Sequence, residues 1–247
     1  MQRVEGAHCQ CDPFCRRKPL PHSPFCKAHQ QRCWRKAPLS GAEPLYSPDG
    51  YNRFKGIKDS NNCYAYALDY DELPEKCTKE DCNAPFPQPG LASGYPKWSE
   101  VNGKRCPDVL ARVLGDVPGS HMTNFTKKCR KGTRKVAFVV DPKEDYHVYR
   151  QDKNQYWSHK PGSTDVTNRD AMGRPIYDPQ LAARSTSESK LKYTHFCGYV
   201  CVPTRRHRLK RSLGGRRMPQ TRHLGGTHHL KRSTRKRSTK KKSTKTR

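Results

Sequence analysis

Long apolar runs are missing from this 247-residue chain, and several function classes go with them. Hydrophobic residues make up 32%. No stretch approaches the roughly 20 apolar residues that a transmembrane helix needs, so no membrane span is expected. Met1–Ala7 is polar and lacks the apolar core of a secretory signal, so secretion by a signal of its own is not expected. Acidic residues are scarce: 22 Asp and Glu face 50 Lys and Arg, for a formal net charge of +28. With so little apolar content the folded part must be a minority core, one domain of ordinary size carrying long polar extensions.

Beyond Pro203 acidic residues are absent altogether, and so are Phe, Tyr and Trp. Thr204–Arg247 holds 18 Lys and Arg and contributes +18 of the +28. It ends in a repeat, Lys231-Arg232-Ser-Thr-Arg235, Lys236-Arg237-Ser-Thr-Lys240, Lys241-Lys242-Ser-Thr-Lys245. Such a run repels itself and buries no core, which predicts a disordered tail. Its expected partner is DNA or another polyanion, bound by counterion release and without base stacking. The candidate contacts are Lys231, Arg232, Arg235, Lys236, Arg237, Lys240, Lys241 and Lys242. A nuclear-localisation or solubility tail is the alternative, and its Ser-Thr pairs are candidate phosphorylation sites whose charge would weaken polyanion binding.

What the chain has in excess lies at the other end. Cys9, Cys11, Cys15, Cys26 and Cys33 fall with His29 inside 25 residues. Cys11-x3-Cys15 and Cys26-x2-His29 are two close pairs separated by a loop, the arrangement that wraps a tetrahedral structural zinc. Cys9 can replace Cys11, and Cys33 lies four residues beyond His29, so the spacing leaves the fourth ligand open. A segment this rich in Pro, Lys and Arg needs metal to fold. A disulfide cluster is the alternative, and the lack of a secretory signal counts against it.

Two further stretches carry chemistry. In Ser60-Asn61-Asn62-Cys63-Tyr64-Ala65-Tyr66-Ala67-Leu68, three N-cap residue types precede a helix-compatible run. Cys63 then occupies a first turn, where backbone N–H groups and the helix dipole favour a thiolate. In Asp145–Gly162, Tyr146–Gln151 and Tyr156–His159 have strand composition around a turn at Asp152–Gln155, which predicts a β-hairpin carrying His147 and His159. Lys135–Val140, just upstream, reads as a strand buried on both faces. An odd-length hairpin loop, such as Lys153–Gln155, pairs position 147 with 161 and puts His159 diagonally on the face of His147; an even loop sends it to the other face, leaving Ser158 or another residue such as Asp152 to orient His147, or a cysteine–histidine dyad without a third member.

The strings NNCYAYAL (61–68), DYHVYRQD (145–152), YWSHKPG (156–162), IYDPQLAAR (176–184) and FCGYVCVP (196–203) carry a resemblance. The order of cysteine on a helix, buried strand, histidine and polar residue is similar to papain-like cysteine peptidases and amidases of the NlpC and CHAP type. The strings themselves resemble uncharacterised proteins of large eukaryotic DNA viruses and some bacteria, over Tyr51–Pro203. The resemblance implies an α+β papain-like fold with a catalytic helix packed on a small antiparallel sheet. It also implies Cys63 as nucleophile, His147 as general base and His159 as the residue that orients it. Asn61 and Asn62 stand where an oxyanion hole would lie.

The expected organisation is a Cys/His-rich zinc-binding knuckle at 1–36, a Pro- and Gly-rich linker at 37–58, the papain-like domain at 59–203 and the basic tail at 204–247. Pro107–Gly115 reads as a short amphipathic helix ended by its glycine, Asp178–Arg184 as one helical turn, and His195–Val202 as a closing strand whose two cysteines share a face by parity and pack. Cys77, Cys82, Cys106 and Cys129 are left open as thiols, a second metal site or disulfides. Asn124-Phe125-Thr126 matches a glycosylation acceptor by chance if the chain never enters the secretory pathway.

Two functions follow. One is a cysteine hydrolase that cleaves an amide or isopeptide bond of a peptide or protein substrate, tethered by its tail to nucleic acid or to virion proteins. The other is a non-catalytic virion or nucleic-acid-associated protein with a papain-like scaffold. The expected location is a virion or the host cytoplasm or nucleus.

Overall fold

A computed structural model describes residues 8–98, 104–205 and 209–211; the candidate tail contacts from Lys231 to Lys242 lie outside them. Thr133–Val140, the run Lys135–Val140 together with two residues before it, forms β2, buried along its whole length. It is the central strand of a five-stranded antiparallel sheet of order β1-β5-β2-β3-β4. The other strands are β1 (His121–Thr123), β3 (Tyr146–Gln151), β4 (Trp157–Ser158) and β5 (His195–Pro203).

Alternation along the strands creates two cores. On one face Val136, Phe138, Val140, Tyr146, Val148, Val200 and Val202 meet α3 (Cys63–Ala67) and α4 (Cys106–Asp116) through Tyr64, Val109 and Val113. On the other face Ala137, Val139, Tyr149, Trp157 and Tyr199 meet Cys9, Cys11, Phe25 and Cys26. The Cys-rich segment thus packs directly on the sheet. The Gln10 amide, fully buried, accepts from the backbone N–H of Tyr177 at 2.7 Å and of Asp178 at 3.2 Å, and donates to Asp170. Arg35 pairs with the buried Asp178 at 2.9 Å. The segment between, read as a linker, contains two short helices, α1 (Asp49–Asn52) and α2 (Lys55–Ser60), before α3.

α4 continues through Gly115 to Asp116 rather than ending at the glycine as the sequence predicts. A Cβ there would meet the Ser93 hydroxyl at 2.8 Å. The glycine therefore admits the turn at Gly90–Tyr95, whose Gly90 and Ser93 N–H groups bond the Asp116 carboxylate at 2.7 and 2.9 Å.

The parity argument for Cys197 and Cys201 fails at a bulge. Val139 pairs with Phe196 but Phe138 pairs with Gly198, so Cys197 is an extra residue in β5, beside a glycine at φ +126°. Cys197 turns to the helix face and bonds Cys106, while Cys201, in register with Lys135, bonds Cys129. Neither is a packing thiol. Cys77–Cys82 and Cys11–Cys33 are also disulfides. No helix among the described residues is long and apolar enough to cross a membrane.

Candidate functional site

α3 begins where its cap predicts. Asn62 is the N-cap and its side chain accepts the Ala65 N–H at 3.2 Å. The same amide donates to Pro87 O and to the Tyr146 hydroxyl. Asn61 donates to Ile57 O and accepts from Arg211 at 2.9 Å. Both amides proposed for an oxyanion hole are thus engaged in holding the helix entry in place.

The hairpin takes the odd-length form. Asp152 N–H bonds Tyr156 O, Gln155 sits at φ +71°, and Arg150 pairs with Ser158. Position 147 then lies across from 161, and His159 falls diagonally on the face of His147, with His147 Nε2 and His159 Nδ1 2.7 Å apart. Ser158, on the other face, bonds the Tyr66 hydroxyl, and Asp152 bonds Arg150.

The hydrogen bonds fix both tautomers. His159 Nε2 lies 3.0 Å from Arg169 O, and a carbonyl only accepts, so Nε2 carries the proton. In neutral His159, Nδ1 is then the acceptor, and the donor must be His147 Nε2–H. His147 Nδ1 is left as a bare lone pair, with no hydrogen bond to it among the described residues. Burial holds both rings neutral: it pulls His147 well below the ordinary imidazole range, aided by His159, and His159 down to about 4.

Cys63 is brought to the same strand but not onto the imidazole. Its thiol lies near the backbone N–H of Val148, the residue after His147, and belongs to the helix-side core. Alternation turns His147 and Tyr149 to the opposite face, where their rings meet edge-on at 5.0 Å. No hydrogen bond joins Cys63 to His147 or His159 among the described residues. Burial pushes the Cys63 thiol strongly up, and the nearby Asp145 carboxylate adds to this; the buried Lys160 ammonium opposes it. Cys63 is therefore a protonated thiol at neutral pH. Lys160, Asp145 and Tyr193, which bonds Asp145 at 3.1 Å, are the neighbours that sequence reasoning did not assign. Lys160 donates to Lys58 O and Gly162 O, tying α2 to the hairpin.

The six metal candidates divide. Cys11 and Cys33 are bonded to each other, and Cys9, Cys15, Cys26 and His29 converge with their ligand atoms all within 4.8 Å of one another. Cys9 Sγ and His29 Nδ1 are 3.3 Å apart, Cys26 Sγ and His29 Nδ1 3.5 Å, and Cys15 Sγ and Cys26 Sγ 3.9 Å. A tetrahedral ion about 2.3 Å from each sulfur would space its ligands roughly 3.3–3.8 Å apart, so the group is sized for a metal ion.

No protein-family model matches this chain, and no solved structure matches it. Among curated proteins it is 36% identical over 161 residues to insoluble matrix shell protein 1 of Ruditapes philippinarum, an alignment spanning 65% of this chain and 90% of that protein. At that identity and coverage, the chain belongs to the family of insoluble matrix shell protein 1.

Proposed function

We propose that this chain is a structural protein of an insoluble matrix outside the cell; its relative is named for an insoluble shell matrix, and the extracellular setting is read from this chain's own cysteines. The observation that carries the reading is the use of cysteine. Four disulfides take up Cys11, Cys33, Cys77, Cys82, Cys106, Cys129, Cys197 and Cys201, and three more cysteines converge with His29, leaving Cys63 as a lone buried thiol. Disulfides on this scale belong to oxidising compartments. Three thiolates and an imidazole suit zinc, which would act here as a structural pin holding the N-terminal segment on the sheet. The 18 basic residues after Pro203 suit anionic matrix polymers by the same counterion release that would bind DNA. The test is extraction: after mild acid demineralisation of the source tissue, the chain should remain in the insoluble residue and be released by a reductant with a chelator. Recovery in the soluble cell lysate with free thiols would exclude this reading.

The tautomer pattern favours a second reading, the papain-like cysteine hydrolase. A bare Nδ1 on His147, with Nε2 held by His159, is what a general base needs, and a cysteine opens the helix beside the same strand. In that reading His147 takes the Cys63 proton, the thiolate attacks an amide carbonyl, and the tail holds the enzyme on a polyanion or particle. It requires Cys63 to leave its place beside Val148 and reach His147, which alternation along β3 turns to the other face.

A further inference from the structure

Asn124-Phe125-Thr126 follows β1, and the fold treats its three residues differently. Phe125 is the anchor: it is buried, lies 5.8 Å from the Tyr199 ring and sits beneath the Arg35 guanidinium at 4.5 Å. Asn124 and Thr126 are both exposed. Asn124 Oδ1 accepts from the Thr126 N–H at 3.1 Å, the Thr126 hydroxyl at 3.2 Å and the Lys127 N–H at 2.8 Å. Its Nδ2 has no partner among the described residues.

Beside it lies an open groove of about 420 Å³, lined by Asn124 itself with Trp34, Thr123, Gln180 and Phe196 among others. Trp34 is 67% exposed, and the Thr123 hydroxyl is buried without a partner. Among the described residues no acidic side chain lines the groove, and the one cation that does, Arg35, is committed to Asp178. Aromatic faces, a free side-chain amide and an orphaned hydroxyl, without net charge to offer, match a neutral polyhydroxylated ligand.

We infer that Asn124 carries an N-linked oligosaccharide whose first sugars lie in this groove against Trp34. The inference rests on the extracellular reading, because the disulfides imply passage through the compartment where such transfer occurs. The donor is a lipid-pyrophosphate-linked oligosaccharide. Its anomeric C1–O bond breaks with the electron pair leaving on the released lipid pyrophosphate, a C1–Nδ2 bond forms, and Nδ2 gives up one proton to a base of the transferring enzyme. Transfer takes place on the chain before folding closes, and the fold's part is to leave Asn124 exposed with a seat for the product.

The test is to express the full chain behind a secretory signal in cultured animal cells and compare the secreted product before and after peptide N-glycosidase. The expected result is a loss of mass on treatment and an Asp at position 124 in the released peptide. Asn124→Gln and Thr126→Ala should abolish the shift, and Thr126→Ser should keep it. Trp34→Ala should keep occupancy but make release from the folded protein several-fold faster. A secreted, disulfide-bonded chain with unmodified Asn124 overturns the inference alone. A chain retained in the cell with its thiols free overturns the extracellular reading with it.

Discussion

His147 donates to His159, 2.7 Å away, and His159 donates in turn to the Arg169 carbonyl, so one backbone oxygen sets the tautomer of two rings, one buried and one half-buried. Desolvation opposes a proton on either ring, so the pair is neutral at pH 7.

That neutrality has a sign in pH. Both imidazoles have folded pKa values below the ordinary 6.5, His159 at about 4, so between those values the unfolded chain binds more protons than the folded one. The contribution of the pair to stability is complete above pH 6.5 and is lost as pH falls towards 4. Urea unfolding at pH 7.5, 6.0 and 4.5 should show this decline, and His159→Gln should flatten it. An unchanged slope in the variant would rule out the pair as its source.

Metal and disulfide should separate by mutation. Cys26→Ser should lower bound zinc well below one per chain, measured by plasma mass spectrometry. Cys11→Ser together with Cys33→Ser should leave zinc bound and cost about 2–4 kcal/mol of stability, the usual worth of a disulfide. Equal zinc loss in both variants would show that the four-ligand group is misassigned.

Gln10 should matter more than a polar residue in a Cys-rich loop usually does. Gln10→Ala leaves the buried N–H groups of Tyr177 and Asp178 without their acceptor, at a cost of about 1–3 kcal/mol in chemical denaturation. A change within ~0.5 kcal/mol, the scale of an ordinary surface substitution, would mean that the N-terminal segment is not held on the sheet in solution.

Local chemistry made much of this fold readable. The cap at Asn62, the buried run of β2, the hairpin and the turn at Asp178 all follow from residue type within a few positions. What was not readable depends on distant partners or on one-residue slips. Hairpin parity hung on Gln155 adopting a left-handed conformation without being glycine. The bulge at Gly198 reversed the face of Cys197, and its partner Cys106 lies 91 residues away. The spacing admitted Cys9 or Cys11 as ligand; with Cys11 bonded to Cys33 and Gln10 clamped to the strip at 170–178, Cys9 remains for the metal group. The helix start and the hairpin, read from residue types, put Cys63 and the two histidines on neighbouring elements but carried no information on where the thiol points.

The state of Cys63 decides between matrix protein and hydrolase most directly. The measurement is the alkylation rate of Cys63 by iodoacetamide against pH, read by peptide mass spectrometry, in the wild type and in His147→Ala. A structural protein predicts a thiol that is nearly inert in the folded chain up to pH 9 and is unaffected by the substitution, as its burial against Val148 implies. Rapid alkylation well below the ~8.5 of an ordinary thiol, abolished by His147→Ala, would contradict that account and identify a thiolate–imidazolium pair.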